Sequence, residues 1–250
     1  MTVQPRSQTL QQRLDAHNQG QRRYYQRALK PHMQPANASP YLHRHVDQLI
    51  RFGAIAQNHR LLEVGCGMGR YTLILAALGY RIEGIDLSPE LLARLRAAAG
   101  DRQELTLHCA DVANFPAGLA GHFDRVIGFF ALHHMHDLPL CFSAMTRLLR
   151  PGGRVVFLEP NPFNPLYYVQ MAITPDMTWA GDRGLVQMRR GRLFSAMESA
   201  GLTELSARRF GFLPPVLMNQ PWGAPLESTL ERMPAWRPFL PFQLFQGTAP

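Results

Sequence analysis

Residues 61–69 read Leu-Leu-Glu-Val-Gly-Cys-Gly-Met-Gly, and this run constrains the fold more than any other stretch of the chain. Leu61, Leu62 and Val64 form the apolar run of a buried strand, which stops at the alternating glycines Gly65, Gly67 and Gly69. A helical pattern from Tyr71 to Leu78 follows at once. Strand, glycine turn and helix in that order bring bare backbone against a ligand at the carboxyl end of a parallel sheet. The spacing limits the ligand. A dinucleotide fingerprint needs its third glycine at position 70, which is arginine, and no Gly-Lys-Ser/Thr follows to make a phosphate-binding loop. Glu63 puts a carboxylate close by, which suits a cationic amino acid and repels a pyrophosphate.

The next segments repeat the alternation. Tyr80–Asp86 reads as a second strand ending in an acid, and such an acid can accept both ribose hydroxyls of a nucleoside. Ser88, Pro89 and Glu90 then start a helix as N-cap, first-turn proline and dipole-matched acid. Leu105–Asp111 is a third strand-like run, Phe123–Phe129 a fourth, and Leu148–Glu159 closes a helix into a fifth. The Glu-x-Gly-x-Gly-x-Gly of residues 63–69 resembles the first motif of the class I S-adenosylmethionine-dependent methyltransferases, and Arg150-Pro-Gly-Gly153 resembles their turn into the fifth strand. The resemblance implies S-adenosyl-L-methionine as cofactor and S-adenosyl-L-homocysteine as product. It assigns Asp111 to the adenine amino group and the Val112 amide to a ring nitrogen. The implied cofactor set is Glu63, Gly65, Cys66, Gly67, Gly69, Asp86, Leu87, Asp111, Val112 and Phe129.

The expected fold class is α/β: a Rossmann-like doubly wound sheet, mostly parallel with an antiparallel last strand, helices on both faces, an N-terminal helical lid and an insertion after strand five. One domain accommodates the 250 residues. Within it, 1–58 is the lid region, 59–159 the cofactor-binding core, 160–188 the substrate-side insertion, and 189–250 completes the sheet. No run is long enough for a membrane span, and residues 1–15 are polar without an apolar signal region. Cys66, Cys109 and Cys141 are scattered and odd in number, which fits reduced thiols and a cytoplasmic location rather than disulfides or zinc. The formal charge of +8 invites a nucleic-acid reading, but Lys30 is the only lysine among 26 basic residues and the arginines form no run. Arginine-rich composition accounts for the charge, and no nucleic-acid partner is expected.

Substrate choice must come from outside the cofactor half. Helical candidates at Gln8–Leu29 and Tyr41–Ala56 carry Tyr24, Tyr25 and Tyr41, of which Tyr24 and Tyr25 are the expected lid tyrosines. Beyond the fifth strand, Glu159-Pro-Asn-Pro-Phe-Asn-Pro-Leu-Tyr-Tyr168 is too proline-rich to run on as helix. Residues 160–250 hold half the aromatics and all three tryptophans, either as a rigid wall for an apolar or ring-bearing substrate, the favoured reading, or as a dimer surface. A sixth strand ends near Gly211, and Phe239–Phe245 is the expected last strand, with Pro241 tolerable at an edge. Asn161 and Tyr168 complete the substrate-side candidates. The assembly is a monomer or homodimer.

Methyl transfer needs the acceptor held in line with the leaving sulfur, with a base where the acceptor must lose a proton. His133 and His134 directly follow strand four; His134, followed by an apolar residue and then by Asp137, resembles a common family pattern there, and Glu159 ends strand five facing the same cleft. The histidines either organise the cofactor loop, which is favoured, or act as general base. Glu159 binds a cation, orients a hydroxyl or caps the proline turn. A metal is not expected, because Phe130 and Ala131 stand where related quinone O-methyltransferases place upstream glutamates. The resulting expectation is a methyltransferase acting on a small, partly apolar or aromatic metabolite of specialised metabolism, oxygen favoured over nitrogen or carbon. Its rivals are an RNA or protein methyltransferase and a non-catalytic S-adenosylmethionine-binding protein.

Overall fold

The computed structural model describes residues 12, 15–16, 18–20, 38–100, 105–115, 117–173 and 183–250. Seven strands form one sheet: β1 (Arg60–Val64), β2 (Arg81–Asp86), β3 (Thr106–Cys109), β4 (Phe123–Phe129), β5 (Leu149–Pro160), β6 (Thr203–Phe210) and β7 (Phe242–Thr248). Their order is β3-β2-β1-β4-β5-β7-β6. The first five pair in parallel, and β7 runs antiparallel to both β5 and β6. The order reverses beside β1, so the carboxyl ends of β1 and β4 open a crevice at the switch point.

Strand periodicity divides the core. Leu61, Ile127, Val156, Leu158 and Leu244 pack on one face, while their chain neighbours Leu62, Val126, Val155, Phe157 and Phe245 pack on the other. Helices α1 (Pro40–Phe52) and α2 (Thr72–Ala77) cover the first face with Leu42, Val46, Leu49, Ile74 and Leu75. Helix α3 (Pro89–Ala99) buries Leu92 and Leu95 against Cys66. Helices α4 (Leu138–Leu148) and α6 (Arg190–Ser199) cover the opposite face with Phe142, Met145, Leu193 and Met197. Side-chain oxygens of Ser39, Ser88 and Asp137 accept from Leu42 N, Leu91 N and Leu140 N and so start α1, α3 and α4. A proline in the first turn assists each.

Two expectations need correction. The proline-rich stretch after β5 stays non-helical over 161–164 but turns helical at its end: α5 (Pro165–Ile173) begins at Pro165, where a missing N–H costs nothing. The last strand starts at Phe242 rather than Phe239, because Pro234–Phe239 winds into a 3-10 helix and Pro241 has no N–H to pair. Short helices α7 (Pro215–Met218) and α8 (Gly223–Leu230), which the sequence reading did not separate, lie between β6 and that turn. Arg44 of α1 pairs with Glu227 of α8 and, at 2.6 Å, with Glu231, and Glu227 also accepts from Phe212 N and Leu213 N. Residues 18–20 are helical; Tyr24 and Tyr25 lie outside the described residues.

Candidate functional site

Gly65, Gly67 and Gly69 all take left-handed φ values of 73°, 52° and 88°, which side chains other than glycine rarely adopt. Their reasons differ. A Cβ on Gly65 would meet Ala131 Cβ at 2.8 Å, and one on Gly69 would run into Leu95, so these two allow close packing. A Cβ on Gly67 would meet nothing within 4 Å: this glycine faces open cleft. Asp86 fixes the turn, since its carboxylate accepts from Gly67 N and Ser88 N, both at 2.9 Å. Burial raises its pKa against the pull of these backbone bonds.

Glu63 lies beneath the turn, 2% exposed, with Thr72 Oγ1 donating to it at 2.7 Å. Burial pushes its carboxyl up to about 8, the Thr72 bond opposing the shift and the Asp86 charge adding to it. A buried carboxylate with so small a stabilising set gains from a cationic ligand group. Across the crevice, Asp111 accepts from Ala113 N at 2.9 Å and from the Asn18 side-chain amide at 2.6 Å.

The end of β4 supplies the third wall. Phe130 holds an unusual φ of 55°, with its N–H donating to Leu158 O at 2.7 Å. The chain then wraps around Glu159. That side chain is fully buried and accepts from Ala131 N at 2.8 Å and Leu132 N at 2.7 Å, with His133 Nδ1 at 2.7 Å. Glu159 therefore does not face the cleft as the sequence reading had it; its oxygens are committed to the loop that does. His133 lines the cleft and packs against the His134 ring at 4.0 Å. Among the described residues, no three His, Cys, Asp or Glu side chains stand close enough to hold a metal ion.

These walls enclose a cleft of about 680 Å³, within the usual range for small-molecule sites. Glu63, Gly65, Cys66, Gly67, Asp86, Leu87, Asp111, Val112 and Phe129 line it together with His133 and His134. Gly69 does not. Asn161 and Tyr168 are also displaced from their expected role. The Asn161 amide donates to Pro238 O and Leu240 O, and the Tyr168 hydroxyl donates to Pro162 O, so both brace the turns after β5. Their neighbours Asn164, Leu166 and Tyr167 reach the cleft instead.

An aromatic chamber at one end escaped the sequence reading. His45 and Tyr41 of α1 meet Tyr71, Phe130 and Phe242 there, with His45 ring centroids 4.5 Å from Tyr41 and 4.6 Å from Phe242. His45 Nδ1 lies 2.9 Å from the Tyr71 hydroxyl, and Tyr71 stacks on Phe129 at 4.1 Å. Burial, helped by the charges of Arg70 and Arg44, lowers the His45 pKa to about 3, so the imidazole is neutral. The available signal was spacing: Leu42, His45, Val46 and Leu49 form one helical stripe, and a histidine on it is a buried polar group.

Residues 62–157 match the family described as a methyltransferase domain. A ubiquinone biosynthesis O-methyltransferase of Aromatoleum aromaticum is 39% identical over 104 residues, 41% of this chain and 44% of that protein. The chain thus spans less than half the length of that curated relative. Among solved structures, phosphoethanolamine N-methyltransferase 2 of Haemonchus contortus, bound to phosphomonomethylethanolamine and S-adenosylhomocysteine, superposes with TM-score 0.64 at 17% identity over 92% of this chain and 60% of that one. The cyclase SpnF does so with TM-score 0.61 at 17% identity over 100% of this chain and 99% of its own.

Proposed function

We propose that the chain, whose residues 62–157 match a methyltransferase domain, is a class I S-adenosylmethionine-dependent methyltransferase that methylates an oxygen of a small, ring-bearing, partly apolar metabolite. One observation carries the reading: the cofactor-type cradle of Gly67, Asp86 and Asp111 shares its cleft with His133, whose Nδ1 is held by the buried Glu159.

The residues fit the cofactor. Gly67 faces open space where a side chain would stand, Asp86 and Asp111 present carboxylates for hydroxyl and amino donors, and Glu63 offers a buried carboxyl that an ammonium would draw into its ionised form. When bound, S-adenosylmethionine supplies a methyl group already activated on a sulfonium. The protein's share is then to position the acceptor, which can provide roughly 7–11 kcal/mol, and to remove its proton. His133 suits the second task. With Nδ1–H donating to Glu159, Nε2 is the basic nitrogen of a ring in the cleft wall, and a carboxylate so placed stabilises the imidazolium as it forms. Tyr41, Tyr71, Phe130 and Phe242 furnish an apolar chamber for rings, and the neutral His45 adds no charge to it. The ubiquinone-type relative, an O-methyltransferase by name, supports oxygen over nitrogen. Specialised metabolism remains the preferred setting, with the small molecule as partner and a cytoplasmic location.

The test is a mass-shift screen of phenols, aliphatic alcohols and amines with labelled cofactor. Each methyl transferred to a phenol should release one S-adenosylhomocysteine. Turnover of amines only, or an acceptor converted with no cofactor consumed, as a cyclase would do, overturns the proposal.

A further inference from the structure

His45 is a polar residue in an apolar place. It is 2% exposed and lines the cleft, with its ring centroid 5.6 Å from that of Phe130, 5.9 Å from Phe210 and 4.6 Å from Phe242. One ring nitrogen is paired, Nδ1 with the Tyr71 hydroxyl at 2.9 Å. The other is not: Nε2 is buried and has no hydrogen-bond partner among the described residues. Buried polar atoms without partners are few in native proteins, and each calls for a reason. A buried water needs about three hydrogen bonds to stay in place, and the rings of Phe130, Phe210 and Phe242 offer none.

The Tyr71 contact decides which form Nε2 takes. Tyr71 is buried too, and its hydroxyl bonds to Nδ1. Burial raises the Tyr71 pKa and lowers that of His45 to about 3, so both groups are neutral. If Nδ1 carried the ring proton, the hydroxyl proton and the Nε2 lone pair would both be left over. With the hydroxyl donating to Nδ1, the ring proton sits on Nε2 and a single N–H is left over. The chamber therefore presents a neutral donor among aromatic faces. Its complement is a ring that carries an uncharged oxygen acceptor, since a carboxylate would enter the chamber at a heavy desolvation cost. The Arg70 charge, close enough to act on His45, favours the negative end of a carbonyl dipole there.

We propose that His45 Nε2–H selects the methyl acceptor, by donating to a carbonyl oxygen that the acceptor's ring carries in addition to the oxygen that is methylated. The assignment rests on the ring chamber of the proposed function and gives its acceptor a second polar group. Binding tests it without turnover. With S-adenosylhomocysteine bound, calorimetry compares 3- and 4-hydroxyacetophenone with 3- and 4-ethylphenol, which have the same phenol ring but lack the carbonyl oxygen. At least one hydroxyacetophenone should bind about tenfold more tightly than its ethylphenol counterpart. His45→Phe should reduce that preference to about twofold or less, whereas His45→Gln, which keeps an N–H donor, should retain about threefold or more. Long-range proton–nitrogen NMR of the unsubstituted protein should show His45 protonated on Nε2, with that proton moving downfield when the ketone binds. Equal binding of ketones and ethylphenols, or a preference unchanged in His45→Phe, overturns the role of His45 and leaves the chamber standing. A ring proton found on Nδ1 overturns it as well, whether or not the variants fold. Failure of all four phenols to bind overturns the chamber reading and this proposal with it.

Discussion

Glu159 Oε2 lies 2.7 Å from His133 Nδ1, and the other oxygen of the same carboxylate receives two backbone N–H groups from the loop that carries the histidine. One buried side chain thus sets both the loop path and the ring orientation. Glu159→Gln keeps the size but turns one of the two acceptor oxygens into a donor, which meets either the paired N–H groups or the His133 Nδ1. It should cost about 1.5–3 kcal/mol of stability, because charge-assisted bonds are lost, and lower kcat by about tenfold to a hundredfold. His133→Asn should lower kcat at least as much and leave the cofactor Kd within about twofold, whereas His134→Asn should change kcat little. Equal losses for both histidines, tracking cofactor affinity, would return them to a positioning role. Turnover and calorimetry on the three variants decide it.

Cofactor affinity should depend on Asp86 and Gly67 in different ways. Asp86→Ala removes the acceptor proposed for the cofactor and also the pin on Gly67 N and Ser88 N, so the loss should be about 1.5–3 kcal/mol in binding together with a lower thermal midpoint. Gly67→Val fills open cleft and strains a φ of 52°, and binding of S-adenosylhomocysteine should vanish in calorimetry. Retained micromolar binding by Gly67→Val would place the ligand elsewhere.

Two buried groups shape stability against pH with opposite signs. His45 has its folded pKa lowered to about 3, so the unfolded chain takes up a proton first and stability falls as pH drops below about 6.5, by up to about 1.4 kcal/mol per pH unit. Glu63 has its folded pKa raised to about 8, so stability from this group falls as pH rises from about 4.5 to 8. Urea unfolding of His45→Phe should show a flatter acid limb, and of Glu63→Gln a flatter neutral one. An acid limb of unchanged slope in His45→Phe would mean that the histidine is protonated in the folded protein.

Arg44 neutralises the nearly buried Glu227, which also holds Phe212 N and Leu213 N at the cleft wall. Arg44→Met should destabilise by about 3 kcal/mol, since a buried carboxylate loses its cation. It should raise the acceptor KM more than the cofactor Kd. Equal effects on both would show that the pair supports the whole fold rather than the acceptor wall.

The legibility of this fold followed the range of the forces involved. Gly65 to Gly69, Asp86 and Asp111 could be read because each is fixed by local geometry: a turn that tolerates only glycine, a strand end, a cap. Glu159, Asn161 and Tyr168 were correctly placed near the turn after β5, but sequence spacing does not reveal which polar groups a carboxylate or amide will find across the chain. All three bond to backbone, two of them to segments far away in sequence. His45 was half legible: its place on a helical stripe marks it as a buried polar group but not what it meets. Its partners Tyr71, Phe130 and Phe242 stand just before α2, just after β4 and at the start of β7, and nothing local marks a histidine as theirs. The run of prolines after β5 misled because proline breaks a helix interior but starts one well.

The two halves of the cleft also differ in when they can exist. Every wall of the cofactor cradle within β1 to β5 comes from a continuous stretch of about a hundred residues, so those contacts close short loops. The aromatic chamber joins α1 to β7, and the ion pair that braces it spans 187 positions. A chain leaving the ribosome completes its cradle while Tyr41 and His45 still have no Phe242 to pack against. Until the last strand inserts between β5 and β6, Tyr41 and His45 of the first helix lack their Phe242 wall, and this late, long-range step is where misassembly and chaperone capture should concentrate.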